Sequence, residues 1–267
     1  MAFDLDAWLE RIGWNGELRP DLATLAGLLD AHMSHIPFEN LDVLLGRGVR
    51  LDLDSVQRKL VGARRGGYCF EHCTLFAAAL EAIGFNPVRH TARVVVVAPR
   101  RESPRTHMFL TVPVAEGVFV VDPGFGALAP RVPVPLVDGA PVSAGTETHW
   151  MARDGGVWAL RTQTPDKAVD CWVSAVEDDN PIDFEVGNHF TATHPSSSFV
   201  NRIMLRALTG DGRVSVMNRD VTIRRGAETR TLQLPDRAAL RALLAEHFGF
   251  DLPEVESIRV PSIDDWR

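Results

Sequence analysis

The sequence has 267 residues, of which 45% are hydrophobic and 24% are charged, and its formal net charge is -7. This composition is typical of a globular protein, and the length allows one large domain or a few small ones packed together. A mildly acidic chain is a poor candidate for broad binding to nucleic acid or to an anionic membrane surface. We therefore expect no nucleic-acid partner and no membrane partner.

The chain contains three cysteines, Cys69, Cys73 and Cys171. An odd and low count argues against a disulfide scaffold and favours a reducing compartment. The N-terminal residues, MAFDLDAWLERIGW, lack a basic stretch followed by a long apolar one. We therefore predict neither a signal peptide nor a transmembrane segment, and expect a cytoplasmic protein.

The first third of the chain has the apolar spacing of helices. One helix is predicted after Pro20 and Asp21, with these residues on one face: Leu22, Leu25, Leu28, Leu29 and Met33. Another begins near Cys69, ends at Gly84 and has this apolar stripe: Phe70, Cys73, Phe76, Ala77, Leu80 and Ile83. A last helix is predicted after Asp236, with these residues inward: Leu240, Leu243, Leu244 and Phe248.

From about Val88 the pattern changes to that of strands, first in VRHTARVVVVA, MFLTVPV, VFVVD and VWALRT, and later in RIMLRALT, RVSVMN and TIRR. AEG and DGG are predicted as hairpin turns. The proline-rich segment PRVPVPLVDGAP is incompatible with a central strand, so we expect an edge strand or a long loop there. Helices followed by strands and then a mixed tail predict an α+β fold.

Cys69 is a candidate nucleophile because it follows RRGGY and begins a predicted helix. The dipole and the free N–H groups of a helix N-terminus favour a thiolate, and the same N–H groups could stabilise an oxyanion. Arg64 and Arg65 would add positive charge if their side chains point towards the sulfur. Two alternatives stay open: Cys69 could be a small core residue, or it could bind zinc with His72, Cys73 and His107. Two separated ligand pairs, the usual pattern of a zinc site, are not present, so we expect no metal.

His107 and Asp122 are the candidate base and its carboxylate partner. His107 begins a predicted strand after a polar loop, where an imidazole can take up and return a proton near neutral pH. Asp122 ends the apolar strand VFVV, and in isolation it could simply cap a turn. If the two strands pair as an antiparallel hairpin, both side chains lie near the same end of the ladder. Together with Cys69 they would form a thiol triad for acyl transfer.

These motifs resemble those of the arylamine N-acetyltransferase family. The segments HIPFENLDV, RRGGYCFEH, THM, VVDPGFG and ATHPSSSF occur in the order and approximate spacing of that family and together span most of the chain. The resemblance implies a helical domain over residues 1–86, a β-barrel domain over residues 87–190 and a small α/β lid over residues 191–267. It also implies a papain-like catalytic core.

The resemblance further implies an activity and a set of site residues. Acetyl-CoA would acetylate Cys69, with His107 and Asp122 completing the triad, and the acetyl group would pass to an arylamine, an arylhydroxylamine or a hydrazine in a ping-pong reaction of xenobiotic metabolism. The implied contacts with the acceptor are Phe38, Val95, Thr106 and Phe125, and those with acetyl-CoA are Thr106, Ser196 and Ser197. The resemblance also leaves a homodimer open.

Two positions depart from the family pattern. Cys73 stands where an asparagine is expected after FEH, and Pro123 stands where a small or aliphatic residue is commoner. The first could alter the packing behind the nucleophile, and the second could stiffen the loop that carries Phe125. Two other activities use the same triad and stay open: an amide synthase that closes a macrolactam from a carrier-bound thioester, and a triad hydrolase.

Overall fold

The computed structural model describes residues 3–145, 147–164, 166–210, 212–263 and 266. Eight α-helices are present in this part of the chain: α1 Leu5–Ile12, α2 Leu22–His35, α3 Leu41–Leu44, α4 Leu53–Gln57, α5 Cys69–Ile83, α6 Pro181–Thr193, α7 Ser198–Asn201 and α8 Arg237–Leu243. π-helical turns extend α4 over Arg58–Gly62 and α8 over Leu244–Phe248. Short 3-10 turns cover Arg100–Glu102, Gly126–Leu128 and Pro253–Ser257.

Among the described residues, eight strands form one antiparallel sheet: β1 Val88–Val94, β2 Arg105–Val114, β3 Gly117–Val121, β4 Val134–Pro135, β5 Val142–Ala144, β6 Glu147–Asp154, β7 Val157–Gln163 and β8 Ala168–Ser174. Four more form a second sheet: β9 Met204–Thr209, β10 Gly212–Met217, β11 Asp220–Arg225 and β12 Glu228–Gln233. Their spatial orders are β4-β3-β2-β1-β8-β7-β6-β5 and β12-β11-β10-β9. The α+β class predicted from the sequence is therefore confirmed.

The larger sheet curls until it is nearly closed like a barrel. Asp138, which follows β4, forms a parallel bridge with Met151 of β6, so the β4 end of the strand order meets the strand next to its other end. Seven strands contribute to one apolar interior, whose buried residues are Ala92, Phe109, Val120, Val134, Met151, Leu160, Cys171 and Trp172. The proline-rich segment contributes only β4, at the edge, as its sequence predicts.

The helical core has the predicted boundaries. The Asp21 side chain accepts a hydrogen bond from the N–H of Thr24 at the start of α2, and Gly84 ends α5 in the left-handed conformation with φ 105°. The apolar faces of α2 and α5 pack together, and their fully buried members include Leu25, Leu28, Leu29, Phe70, Phe76 and Leu80. This packing fixes where the N-terminus of α5, and with it Cys69, meets the barrel.

The C-terminal sheet has a separate core. Leu41 of α3 packs into it beside residues of β9, β10 and α8, so the N-terminal part of the chain also contributes to this unit. The helix predicted after Asp236 is confirmed, and its Leu240 and Leu244 are fully buried. A helix that sequence patterning missed, α6, packs on β1 and β2. In the described part of the chain, no helix is long and apolar enough to cross a membrane.

A chain of buried hydrogen bonds lies behind α5. The indole N–H of Trp8 donates to Nδ1 of His32 at 3.4 Å, Nε2 of His32 lies 2.9 Å from Nδ1 of His72, and Nε2 of His72 lies 3.2 Å from the Pro37 carbonyl oxygen. Because indole only donates and a carbonyl only accepts, both imidazoles must be neutral and protonated on Nε2. Burial lowers the pKa of His72 to about 4 and that of His32 well below its usual value.

These histidines predict a loss of stability in mild acid. The unfolded chain, with a histidine pKa near ~6.5, binds the protons before the folded one does. The free energy of unfolding therefore falls as pH drops below that value, and the loss from His72 levels off near about pH 4 at roughly 3 kcal/mol. Urea unfolding at neutral pH and in mild acid measures it. His32→Gln, which cannot take up the proton, should weaken the dependence, whereas the exposed His35→Gln should not. Equal pH dependence in wild type and His32→Gln would contradict this account.

Candidate active site

The candidate nucleophile lies at the junction of α5 and the barrel. Cys69 is the first residue of α5, Tyr68 is its N-cap, and Glu71 accepts a hydrogen bond from the Tyr68 N–H at 3.1 Å. The cysteine is 3% exposed, and its Sγ lies 3.8 Å from the Thr106 carbonyl oxygen. The helix dipole therefore acts on a buried sulfur that faces the start of β2.

The strands bring the other two predicted triad residues together. β2 and β3 pair as an antiparallel hairpin, with Leu110 opposite Val121. His107 near the start of β2 and Asp122 directly after β3 therefore lie at the same end of the ladder, and Nε2 of His107 is 2.8 Å from Oδ2 of Asp122. Because the carboxylate accepts, Nε2 carries the proton, which leaves Nδ1 for the sulfur of Cys69.

Asp122 and Cys69 both affect the pKa of His107. Burial works to lower the pKa of His107, but the Asp122 carboxylate and the hydrogen bond and charge of Cys69 outweigh it and raise the pKa to about 10. With this pKa the imidazole carries a positive charge at neutral pH, beside the Asp122 side chain and the Cys69 sulfur. A neighbouring imidazolium is one of the features that favour the nucleophilic form of a cysteine.

Asp122 has a second partner that sequence patterning missed. The indole N–H of Trp172 on β8 donates to Oδ2 of Asp122 at 2.9 Å, and the Trp172 ring stacks on Phe109 with centroids 4.1 Å apart. Oδ1 of Asp122 is buried and has no hydrogen-bond partner within the described residues. Both donors thus bind the same carboxylate oxygen. The sequence around Trp172 has no local feature that predicts this contact.

The loop after Asp122 packs against the nucleophile. A Cβ at Gly124 would lie 2.4 Å from the Cα of Cys69, so only glycine permits this approach. Phe125 contacts the His107 ring edge-on, with centroids 4.9 Å apart. Gly126 has φ +73°, and a Cβ there would lie 3.5 Å from the Phe38 ring. Phe125 therefore lies beside His107, and Phe38 lies beside the same loop; both rings are half-buried.

The remaining predicted contact residues have other surroundings. Thr106 lies beside Cys69 through its carbonyl oxygen. Val95 packs against the small cluster of Val157, Ala159 and Val173. Ser196 is exposed, and its hydroxyl lies 2.8 Å from Nδ1 of His194.

Ser197 is buried at the start of α7, and both hydrogen-bonding roles of its hydroxyl are used within the fold. It donates to the Thr191 carbonyl oxygen at 2.6 Å and accepts from the N–H of Phe199 at 3.2 Å.

The Arg65 side chain is held by other partners, so the condition under which it would support a thiolate is not met. Its Nε donates to Oε1 of Glu39 at 2.9 Å, it also contacts Asp42, and its guanidinium lies over the Phe250 ring. Two carboxylates therefore neutralise this charge away from Cys69. The neighbouring Lys59 belongs to the same buried ion network through Asp42 and Glu71.

The alternative roles of the cysteines can be weighed from their contacts. Both ring nitrogens of His72 are used by His32 and Pro37, so His72 is not available to a metal beside Cys69. In the described part of the chain, no group of three or more His, Cys, Asp or Glu side chains is arranged to hold a metal ion. Cys73 is fully buried, its thiol contacts the Met108 carbonyl oxygen at 3.1 Å, and burial raises its pKa well above the usual value. It is a core residue behind the nucleophile, as its place in the apolar stripe predicts.

A separate groove lies beside α6 and away from the candidate catalytic side chains. It has a volume of about 1160 Å³ and runs beside α6, where Val49, Thr74, Phe184 and His189 are among its lining residues. None of the three triad residues lines it. Because the perturbed histidine and the nucleophile lie together at the α5–β2 junction, the junction is the stronger candidate for the reaction site.

Comparisons with known proteins agree with the resemblance. The family model described as N-acetyltransferase matches residues 21–257. The arylamine N-acetyltransferase of Mycolicibacterium smegmatis is 35% identical over 96% of this chain and 94% of its own length, and that of Escherichia coli K12 is 33% identical over 94% and 90%. A solved structure of the M. smegmatis enzyme has a TM-score of 0.91 at 34% identity, covering 98% of this chain and all of the other.

A structure of the Mycobacterium marinum arylamine N-acetyltransferase in complex with CoA has a TM-score of 0.89 at 34% identity over 94% of each chain. The fold and the buried Cys-His-Asp arrangement thus occur in a chain that matches these enzymes over nearly its full length. The protein belongs to the arylamine N-acetyltransferase family, which is a family of acyltransferases.

The geometry predicts an unusually reactive Cys69. His107→Gln removes the imidazolium that faces the sulfur, so the rate of alkylation by iodoacetamide at neutral pH should fall at least about tenfold. The exposed His189→Gln provides the control and should alkylate at the wild-type rate. Peptide mapping by mass spectrometry identifies Cys69 as the modified residue. If His107→Gln alkylates as fast as wild type, the proposed ion pair is wrong.

Proposed function

We propose that this protein transfers an acetyl group from acetyl-CoA to arylamines, arylhydroxylamines or hydrazines through a thioester on Cys69. The observation that carries the proposal is the position of Cys69 at the N-terminus of α5 beside the buried His107–Asp122 pair. The CoA complex of the M. marinum relative supports CoA as the carrier. The Salmonella typhimurium relative, named as an N-hydroxyarylamine O-acetyltransferase as well, supports arylhydroxylamine acceptors.

The first half-reaction acetylates the enzyme. The Cys69 thiolate attacks the thioester carbonyl carbon, a new C–S bond forms, and the bond to the CoA sulfur breaks. The leaving CoA thiolate takes the proton of the His107 imidazolium. Exchange of one thioester for another is close to balanced in energy, so cysteine suits this step. The N–H groups at the start of α5 are placed to stabilise the oxyanion that forms in between.

The second half-reaction needs His107 as a base, and acetylation prepares it. The thiolate charge disappears when Cys69 is acetylated, so one of the two anions that raise the His107 pKa is lost. The neutral imidazole then accepts a proton from the amine as the amine nitrogen attacks the acetyl carbon. The C–S bond to Cys69 breaks, and the thiolate and imidazolium are restored. Asp122, held by Trp172, keeps Nε2 protonated and Nδ1 directed at the reacting atoms.

The residues around the triad are proposed to contact the two substrates. Phe38 and Phe125 form flat apolar walls for the aromatic ring of the acceptor, and Val95 provides a further, secondary apolar contact. The Thr106 main chain lines the passage to the sulfur for both substrates. Ser196 offers its hydroxyl to the CoA moiety.

Ser197, whose hydroxyl is used internally, would hold the turn that presents Ser196. The stiff Pro123 would narrow the range of positions of Phe125.

We further propose that three segments of the chain have different roles in the reaction. Residues 1–86 supply the nucleophile on a papain-like core, residues 87–190 supply His107 and Asp122 from the barrel, and residues 191–267 act as a lid. The second boundary falls within α6, Pro181–Thr193, so a division at the end of that helix fits the fold better. The amide synthase and hydrolase alternatives gain no support, since the relatives described above are named as arylamine N-acetyltransferases.

The thioester claim has a direct chemical test. Mixing the protein with acetyl-CoA in the absence of an acceptor should place one acetyl group on Cys69, and intact-mass and peptide mass spectrometry detect it. Cys69→Ala should form no adduct and should lose turnover by at least about 10³-fold, because the nucleophile is gone. Cys171→Ala, which changes a buried cysteine on β8, should retain the adduct. An acetyl group found only on another residue would overturn the proposal.

A further inference from the structure

Arg206 on β9 connects the C-terminal sheet to the walls of the proposed acceptor pocket. Its main chain pairs with Phe38 in both directions: the Phe38 N–H donates to the Arg206 carbonyl oxygen at 2.8 Å, and the Arg206 N–H donates to the Phe38 carbonyl oxygen at 2.9 Å. The segment carrying Phe38 therefore forms an isolated antiparallel bridge with β9, the edge strand of this sheet.

The side chain of the same residue reaches the opposite wall. Nη1 of Arg206 donates to the carbonyl oxygen of Gly126, directly after Phe125. Gly126 has φ +73°, and a Cβ at this position would lie 3.5 Å from the Phe38 ring. Residue 206 thus joins the main chain at Phe38, through its own main chain, to the main chain next to Phe125, through its guanidinium.

The rest of the guanidinium is poorly satisfied. Arg206 is 5% exposed, and its Nε and Nη2 are buried without a hydrogen-bond partner within the described residues. Burial lowers its pKa to about 10, and Glu147 only partly offsets this. A buried, half-paired cation contributes little to stability, since an apolar side chain of similar volume is often tolerated there. The arginine is better explained by the two segments that it joins.

We propose that Arg206 is a positioning residue that determines how an aromatic acceptor fits between Phe38 and Phe125. The inference rests on the acceptor site of the proposed function. Arg206 bonds to neither Cys69 nor the His107–Asp122 pair in the contacts described above, so acetylation of the enzyme should not depend on it. Transfer to an arylamine should depend on it, because the ring must fill the space that Arg206 sets. Transfer to hydrazine, which has no ring, should not.

The test separates the two half-reactions and the two kinds of acceptor. Rapid quenching and mass spectrometry measure the acetylation of Cys69 by acetyl-CoA, and then the loss of that acetyl group to 4-anisidine or to hydrazine. In Arg206→Met, the rate constant for 4-anisidine should fall at least about tenfold, while acetylation and transfer to hydrazine should stay within about twofold of wild type. The matched control is Arg224→Met, which removes an exposed arginine on β11 of the same sheet. Its three rates should stay within about twofold.

Each outcome decides a separate point. An unchanged 4-anisidine rate in Arg206→Met, or an equal loss for 4-anisidine and hydrazine, overturns the role of Arg206. If Arg206→Met does not fold, as judged by circular dichroism, Arg206→Lys replaces it in the test. This variant retains one donor for Gly126 but lacks the planar guanidinium, so its rate constant for 4-anisidine should fall at least about threefold while the other two rates stay within about twofold of wild type. If wild-type Cys69 takes no acetyl group from acetyl-CoA, the proposed function has failed at an earlier step.

Discussion

The buried hydrogen bond between His107 and Asp122 is the constraint on which the site depends. The carboxylate is fully buried and the imidazole is 2% exposed, so neither can rely on water. A buried carboxylate is costly unless donors satisfy it, and here an imidazolium and the Trp172 indole converge on one oxygen. The pair requires the β2–β3 hairpin for its register, the barrel interior for its indole, and α5 for the sulfur that completes it. In the proposed mechanism, the reactivity of Cys69 is therefore a property of three packed elements rather than of the cysteine itself.

The surroundings of the triad connect it to the residues of the proposed acceptor pocket. Gly124 lets the loop after Asp122 lie on the Cα of Cys69, and the same loop presents Phe125 to His107. Phe38 comes from the segment after α2, whose Pro37 carbonyl is held by His72 from behind α5. Arg206 then joins both walls to the C-terminal sheet. A change of packing in any of these units would thus reach the pocket through a small number of identified hydrogen bonds.

The parts of this arrangement that could be predicted are those with local signals. Gly84 and Asp21 mark helix ends, and the short AEG turn makes the strands of His107 and Asp122 antiparallel neighbours, which suffices to bring the two side chains together. Contacts between distant segments leave no such signal. Trp172 lies 50 residues beyond Asp122 on a strand that inserts between β1 and β7, and Arg65 finds its carboxylates on the HIPFENLDV segment. The helix α6 was not predicted because Pro181 and Gly187 interrupt the apolar spacing that indicates a helix. Its start does carry a local signal, since Asn180 and Asp183 form a capping box.

The protonation state of His107 in the resting protein is the most direct test of this account. Two-dimensional NMR of the protein with ¹⁵N-labelled histidine reports whether both ring nitrogens of one imidazole carry protons. We expect that His107, assigned through the loss of its signals in His107→Gln, is an imidazolium at neutral pH and has a pKa of about 10. A His107 ring that is neutral at pH 7 in the free protein would contradict the thiolate–imidazolium pair at the centre of the proposed mechanism.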